Sequence, residues 1–212
     1  MRIATTLIAL AALAAPGTAL AAPHPFELSI APQTSLSTSS SVTTISDDAA
    51  HLSATARVGY EVIDGLDIYA GYRRLGALHR LDESGVEWNT DVYTALIGAR
   101  LRYRLVGDWL RLYGQLDIEA NYAELTMNLG DRHGSQGTWS GGLLPEIGLE
   151  ASFELDDTVQ FLLRLGVGYA LRLDHDFDAV AVGTPAPAER PVDLGPANFS
   201  ALSVGFTAGV RF

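Results

Sequence analysis

The end of the chain alternates strictly between apolar and small or polar residues, and this pattern restricts the possible folds more than any other. From Leu202 to Phe212, every second residue is apolar, and Ser, Gly, Thr or Arg fills the positions between. Successive side chains of a β-strand point to opposite faces, so the stretch predicts a strand with one apolar and one polar face. A water-soluble domain seldom ends on such a strand with an aromatic residue as its last side chain.

The same two-residue period recurs from Leu52 onward, which indicates a chain built of strands. At a helical period of 3.6 residues the apolar and polar sets would mix, so helices do not fit these segments. The predicted strands before the last one cover Leu52–Val62, Leu66–Arg74, Tyr93–Leu105, Leu110–Tyr122, Leu143–Glu154 and Val159–Arg172. Pro145 interrupts the fifth of these strands and predicts a bulge there, or a strand that starts after it.

The connections between these strands alternate between short and long. Short turns fall at Asp64-Gly65, Val106–Asp108 and Asp156-Asp157, and long connections cover 75–89, 123–138 and 173–197. Because the last strand ends on the short-turn side, the first must begin there, and Phe26–Ala31 supplies that strand, with 37–46 as its long loop. We therefore predict an all-β fold, a transmembrane antiparallel up-and-down β-barrel of eight strands in residues 22–212.

The first residues predict export. Arg2 precedes an apolar run from Ile3 to Ala15, and Ala19-Leu20-Ala21 places small residues where a signal peptidase cleaves, so residues 1–21 are predicted to be a secretory signal. The run is too short to span a membrane as a helix, although a retained anchor is the alternative.

Composition excludes several classes of function. The chain contains no cysteine, which excludes disulfides and thiolate metal sites. Its 25 acidic residues outnumber 14 basic residues, all of them arginine, so we expect no binding to nucleic acid.

Aromatic residues are sorted by their position along the predicted strands. One group flanks the short turns and another flanks the long connections, as expected for amphipathic rings at the two interfaces of a membrane. The two predicted girdles consist of Tyr60, Tyr103, Phe153, Phe161 and Phe212 on one side and Tyr72, Tyr93, Tyr122, Trp139 and Tyr169 on the other.

The polar face of the predicted barrel carries charges of both signs. Glu150 is expected opposite Arg164, and buried charges must pair because an unpaired one costs several kcal/mol. We predict a lumen ion-pair network of Arg100, Arg102, Asp117, Glu146, Glu150 and Arg164, which would act either as a gate in a narrow pore or as a static polar plug. The charged residues that are predicted to face the lumen are Arg57, Arg73, Arg100, Arg102, Arg104, Arg111, Arg164, Arg172, Arg211, Glu61, Asp67, Asp117, Glu119, Glu146, Glu150 and Glu154.

Over essentially its whole mature length, the chain resembles small eight-stranded outer-membrane β-barrels of the OmpA transmembrane-domain, OmpX and OmpW kind. The resemblance rests on the alternating strands, the signal segment, the terminal Phe212 and the Arg/Glu lumen. It implies export through the periplasm to the outer membrane of a Gram-negative bacterium, with outer-membrane lipid, lipopolysaccharide and the barrel assembly machinery as partners, the last through the strand ending at Phe212. Since the printed chain stops at Phe212, we expect no peptidoglycan-binding domain of the OmpA type.

Three weaker groupings suggest other functions. His133 and Ser135, with Glu146, are similar to the catalytic residues of lipid A deacylase barrels, in which a histidine activates a serine for acyl transfer. The segment Asp174–Asp178 contains oxygen ligands and an imidazole that suit a divalent cation. His79-Arg80 suits the phosphates of lipopolysaccharide. An ordinary solvated loop is the alternative for each.

The resulting expectation is a monomeric barrel without enzyme activity, cofactor or metal. Its predicted role is that of a narrow passive pore or a structural scaffold with a charged, largely plugged lumen. Adhesion or receptor-type binding through the long loops is the alternative, and lipid A deacylation is a distant one.

Overall fold

The computed structural model describes residues 25–38, 50–81, 87–129, 132–177 and 195–212. The predicted signal peptide, residues 1–21, and residues 39–46 of the predicted first loop lie outside the described residues. Within the described part of the chain, no helix is long and apolar enough to cross a membrane.

Eight strands form a closed antiparallel barrel, which confirms the predicted all-β fold. Their order around the barrel is β1-β10-β7-β6-β5-β4-β3-β2, and β8 and β9 form a separate two-stranded sheet. The strands found among the described residues are β1 (Phe26–Ser37), β2 (Ala50–Ile63), β3 (Leu66–Leu81), β4 (Glu87–Val106), β5 (Leu110–Leu129), β6 (Arg132–Glu154), β7 (Gln160–Arg172), β8 (His175–Phe177), β9 (Gly195–Ala197) and β10 (Ala201–Arg211).

The alternation of side chains sets the two faces of the barrel wall. On β2, Leu52 is 71% exposed on the outer wall, whereas Arg57 is 4% exposed in the lumen. At the short turns, Gly65 (φ 85°) and Gly107 (φ 53°) adopt left-handed backbone conformations that favour glycine. We call this end of the barrel the short-turn end, and the opposite end the long-hairpin end.

Two of the predicted long connections are mostly strand, which corrects the predicted loops at 75–89 and 123–138. β3 continues to Leu81 and β4 begins at Glu87, while β5 continues to Leu129 and β6 begins at Arg132. The two-residue period persists there with its polarity reversed. On β5, Leu125 and Met127 are buried while Glu124 is exposed. The sequence prediction identified strands by apolar side chains on their outward positions. It therefore missed these strand segments, whose apolar side chains point into the barrel.

The prediction of a bulge or a strand start at Pro145 is wrong. β6 runs through Pro145, which stays paired with Leu116 of β5. On the other side the pairing with β7 stops at Leu143↔Leu171 and resumes at Glu146↔Gly168 in the same register. Proline has no N–H to donate to the ladder, so β6 loses its pairing with β7 locally. The register of the two strands is the same before and after this gap.

The lumen is filled in two layers. Toward the short-turn end its buried side chains are mainly charged, and toward the long-hairpin end they are mainly apolar. The β8–β9 pair packs against the apolar layer and contributes Phe177 and Ala197 to it. The site that the sequence predicts lies in the charged layer.

Candidate functional site

The charged layer nearest the short-turn end joins four carboxylates to five arginines. Antiparallel register brings the partners together, because Glu27 pairs with Arg211, Asp67 with Arg100 and Glu150 with Arg164 across neighbouring strands. We call this group the lower cluster. Its members are Glu27, Glu61, Asp67, Glu150, Arg100, Arg102, Arg111, Arg164 and Arg211.

Glu27 and Glu150 are the hubs of the lower cluster. Glu27 accepts from Arg164 at 2.5 Å, from Arg211 at 3.0 Å and from Arg100 at 3.2 Å. Glu150 lies 2.6 Å from Arg164 Nε and 3.5 Å from both Arg102 and Arg211. Each carboxylate is therefore shared among several guanidinium groups, so that the arginines are held next to one another despite their like charge.

Asp67 and Glu61 complete the lower cluster. Arg102 lies 2.6 Å from Glu61 and 2.9 Å from Asp67, which also accepts from Arg211 at 3.2 Å. The lower cluster is almost completely buried, with Arg100 at 1% and Glu150 at 0% exposed. An eight-stranded barrel has an interior about wide enough for its own side chains, so these groups fill the lumen at this level.

A second group of charges, the upper cluster, lies closer to the apolar layer. Asp117 accepts from Arg57 and Arg73, both at 3.4 Å. Glu119 pairs with Arg73 and, at 3.0 Å, with Arg172. The upper cluster therefore comprises Arg57, Arg73, Arg172, Asp117 and Glu119.

Tyr69 connects the two clusters. Its hydroxyl donates to Asp117 of the upper cluster, and its ring lies 5.0 Å from the guanidinium of Arg100 in the lower cluster. A cation over the face of an aromatic ring is stabilised by the ring quadrupole. The two clusters thus form one continuous polar filling.

Glu146 lies apart from both clusters. Its carboxylate accepts from the Tyr113 hydroxyl at 2.7 Å and from Gln33 Nε2 at 3.3 Å, both neutral donors. Within the described part of the chain, no arginine lies within ion-pair distance of Glu146. The opposing Gly148 and Gly166 leave room for the Tyr113 hydroxyl, because a Cβ on either glycine would clash with it.

The structure divides the predicted network into three parts. Arg100, Arg102, Glu150 and Arg164 belong to the lower cluster, whereas Asp117 belongs to the upper cluster and Glu146 to neither. Sequence reasoning omitted Glu27 because its role depends on the closure of β1 against β10. Two of the residues predicted to face the lumen, Arg104 and Glu154, are exposed at the short-turn end, where Arg104 pairs with Asp64 at 2.7 Å.

The apolar layer closes the lumen toward the long-hairpin end. We call it the apolar cap; its members, all buried, are Leu75, Leu78, Trp88, Val92, Ala123, Leu125, Met127, Phe177, Ala197 and Phe199. His175 of β8 is completely buried beside it, with its ring 5.0 Å from that of Phe199. Burial, together with the nearby Arg172, lowers the pKa of His175 to about 4.

The ten predicted girdle residues are all at least partly exposed. At the short-turn end, the Phe26 ring lies 5.2 Å from that of Tyr60 and 6.2 Å from that of Phe212. At the long-hairpin end, the Tyr122 and Trp139 rings are 5.1 Å apart. Their contact with membrane interfaces stays a prediction.

The weaker groupings are not assembled in the described residues. Ser135 is exposed on the outer face of β6, whereas Glu146, eleven positions further on, points into the lumen, so the two cannot act together. Asp174 accepts from Asn198 at 2.7 Å, and the described residues contain no group of three or more His, Cys, Asp or Glu side chains suited to a metal. Asp178 and the side chains of His79, Arg80 and His133 lie outside the described residues.

Comparisons with known proteins agree with this architecture. A family model described as "Outer membrane protein beta-barrel domain" matches residues 5–212. A major outer membrane protein from Thermus thermophilus is 13% identical, with a TM-score of 0.52, covering 89% of this chain and 100% of that one. Neisserial surface protein A is 18% identical, with a TM-score of 0.49, covering 90% and 96%.

A third similar structure is that of Ail, the attachment invasion locus protein of Yersinia pestis. It is 12% identical, with a TM-score of 0.43, and the match covers 89% of this chain and 97% of that one. A comparison with curated proteins found no match. At these identities, the structural likeness concerns the fold alone.

Proposed function

The chain belongs to the outer membrane protein β-barrel domain family, and from this premise we propose that it is a closed scaffold in the outer membrane of a Gram-negative bacterium. In such barrels the short turns face the periplasm and the long hairpins face the exterior. The scaffold would anchor the long hairpins at the cell surface without conducting solutes.

The observation that supports a closed scaffold is the filling of the lumen at two levels. An ion entering from the periplasm would have to separate buried pairs such as Glu27–Arg164, each of which costs several kcal/mol to break. An ion entering from the outside would have to pass the apolar cap, where Leu125 and Met127 are fully buried. We therefore propose a closed scaffold in preference to a narrow pore.

Surface binding is a second candidate, supported by the unequal heights of the strands. β3 pairs with β2 only as far as Leu75, and β7 pairs with β6 only up to Gly142. The remaining parts of β3 to β6 therefore rise as a four-stranded sheet, whose outward Glu124 is exposed. Such a sheet could present a polar surface to a partner outside the cell.

The remaining aspects of the proposal follow from the family and the fold. We expect a monomer without catalytic activity or cofactor, exported through the periplasm and surrounded by outer-membrane lipid and lipopolysaccharide. The barrel assembly machinery would recognise the final strand, which ends at Phe212.

Efflux from proteoliposomes tests the scaffold proposal. The barrel is reconstituted at pH 7.5 into vesicles loaded with potassium chloride, and its folding is verified by heat-dependent gel mobility. We expect potassium efflux no faster than from protein-free vesicles, whereas vesicles with a general porin should empty at once. Efflux that increases with the number of barrels per vesicle would refute the closed scaffold.

A further inference from the structure

His175 occupies an unusual position for an ionisable side chain. It is completely buried at the start of β8, beside the apolar cap. The ring of Phe199 meets its imidazole edge-on at 5.0 Å, and the ring of Phe177 is nearly parallel to it at 6.4 Å. A charged imidazolium here would lose its hydration, and hydrogen bonds to the backbone of Ala197 and Asn121 offset only part of that loss.

Of the charged groups around His175, Arg172 opposes its protonation and Asp174 favours it, but the loss of hydration on burial has the largest effect. Arg172 of β7 is the cation that acts on His175, and its carboxylate partner Glu119 of β5 also pairs with Arg73. On the hairpin itself, Asp174 and Asp176 are exposed, and Asp174 is hydrogen-bonded to Asn198.

One other titratable side chain lies near this region. His51 of β2 shares the lining of a small cavity of about 10 Å³ with Arg172 and Phe199. Among the described residues, the parts of β3, β4 and β6 that face the cap contribute apolar and neutral polar side chains. As far as the structure describes the chain, the cap therefore contains no carboxylate that could neutralise a buried imidazolium.

Among the described residues, hydrogen bonds at the base of the β8–β9 pair attach it to the barrel. Each of its strands is three residues long. Asn198 Nδ2 donates to the Arg172 carbonyl at 2.9 Å, and the Leu173 amide donates to the Gly141 carbonyl at 2.9 Å. Arg172 Nη1 also donates to the Phe199 carbonyl at 3.0 Å, and Phe177 packs in the apolar cap. The pair can therefore separate without breaking the strand pairing of the eight-stranded barrel.

We propose that His175 makes the β8–β9 pair an acid-released lid, which leaves the mouth of the barrel when the imidazole is protonated and exposes the apolar cap to the exterior. The lower and upper clusters stay closed in both states. This inference goes beyond the scaffold proposal, since a barrel that never conducts can still change the surface it presents.

The direction of the pH effect follows from the depressed pKa of His175. The imidazole is neutral in the closed state down to about pH 4, whereas in a released lid it titrates near its ordinary value of about 6.5. The released state therefore binds more protons between these values. Closure should be fully favoured above pH 6.5, weaken as the pH falls from 6.5 to 4, and change no further below 4.

Trp88 offers a direct reporter of lid release. It is one of three tryptophans and is 7% exposed in the cap, whereas Trp109 and Trp139 are 49% and 68% exposed. In a Trp109→Phe/Trp139→Phe background, acrylamide quenching of Trp88 fluorescence is measured in reconstituted barrels between pH 7.5 and 4.0. We expect the quenching constant to rise at least threefold on acidification, and unchanged quenching would overturn the proposal.

Two further variants test whether His175 causes the pH-dependent rise in Trp88 quenching. His175→Phe should abolish the pH-dependent rise, whereas His51→Gln should retain it. A rise that persists in His175→Phe, or that disappears in His51→Gln, would overturn the assignment to His175.

If His175→Phe does not fold, an NMR titration of the His175 imidazole in the otherwise unaltered barrel provides the test. The lid requires a pKa clearly below 6.5 for the closed state, and an ordinary pKa contradicts it. Potassium efflux at pH 7.5 is independent of the lid, so failure of the scaffold proposal and failure of this one are distinguishable.

Discussion

At the scale of single residues, the lumen depends on carboxylates that each hold several arginines. Glu27 contacts Arg100, Arg164 and Arg211, all nearly inaccessible to solvent. Burying these cations is favourable only because the carboxylate lies among them. Ion pairs on the surface at the short turns contribute less to stability, because water already screens both partners.

Removing the charge of Glu27 should therefore be costly. In Glu27→Gln the side chain keeps its shape, but three guanidinium groups lose a shared anion, and we expect the free energy of unfolding to fall by about 3–5 kcal/mol. Urea unfolding in lipid vesicles, followed by gel mobility, measures the change.

Asp64→Asn provides the matched control for Glu27→Gln. Asp64 pairs with Arg104 at 2.7 Å, but the two side chains are 64% and 55% exposed, so its loss should cost less than about 1 kcal/mol. Equal effects of the two substitutions would contradict the role assigned to Glu27.

At the scale of secondary-structure elements, the strands change character along their length. On β5, the apolar side chains other than Tyr113 face outward up to Tyr122, and they face inward from Ala123. The outward part suits a membrane, and the inward part builds a core of the kind found in water-soluble proteins. The extension of β3 to β6 is therefore held by the apolar cap rather than by the bilayer.

Leu125→Ala tests this division of the strands. Leu125 is fully buried in the cap, so its truncation should lower the free energy of opening the extension by about 2–5 kcal/mol. Hydrogen exchange should show faster exchange of amides in 87–92 and 123–129, while amides nearer the short turns keep their protection.

Leu155→Ala is the control for Leu125→Ala. Leu155 is 68% exposed at a short turn, and its truncation should change stability by no more than about 0.5 kcal/mol. Uniform loss of protection over the whole barrel in Leu125→Ala would show that the cap and the barrel wall are one cooperative unit.

The faces and turns of the strands were predictable from the sequence because they depend on local alternation. Gly65 and Gly107 lie in the turns that the pattern predicts. The role of Glu27 was not predictable in this way, since its partner Arg211 lies 184 positions further along the chain. The apolar cap was missed for a related reason, because Phe177 lies in a connection without regular alternation and Phe199 lies just beyond its end.

At the scale of the whole molecule, the barrel combines a closed lumen with a raised sheet on one side. Charged clusters fill the lumen within the wall, and the apolar cap covers them at the long-hairpin end. The sheet formed by β3 to β6 and the β8–β9 pair on the apolar cap both lie at the long-hairpin end.

Single-channel recording of the barrel in a planar bilayer tests the central claim most directly. The folded barrel, identified by its heat-dependent gel mobility, is inserted at pH 7.5 in 1 M potassium chloride. The closed lumen predicts a baseline free of reproducible openings at either polarity. Stepwise openings of one constant conductance that appear with each inserted barrel would contradict it.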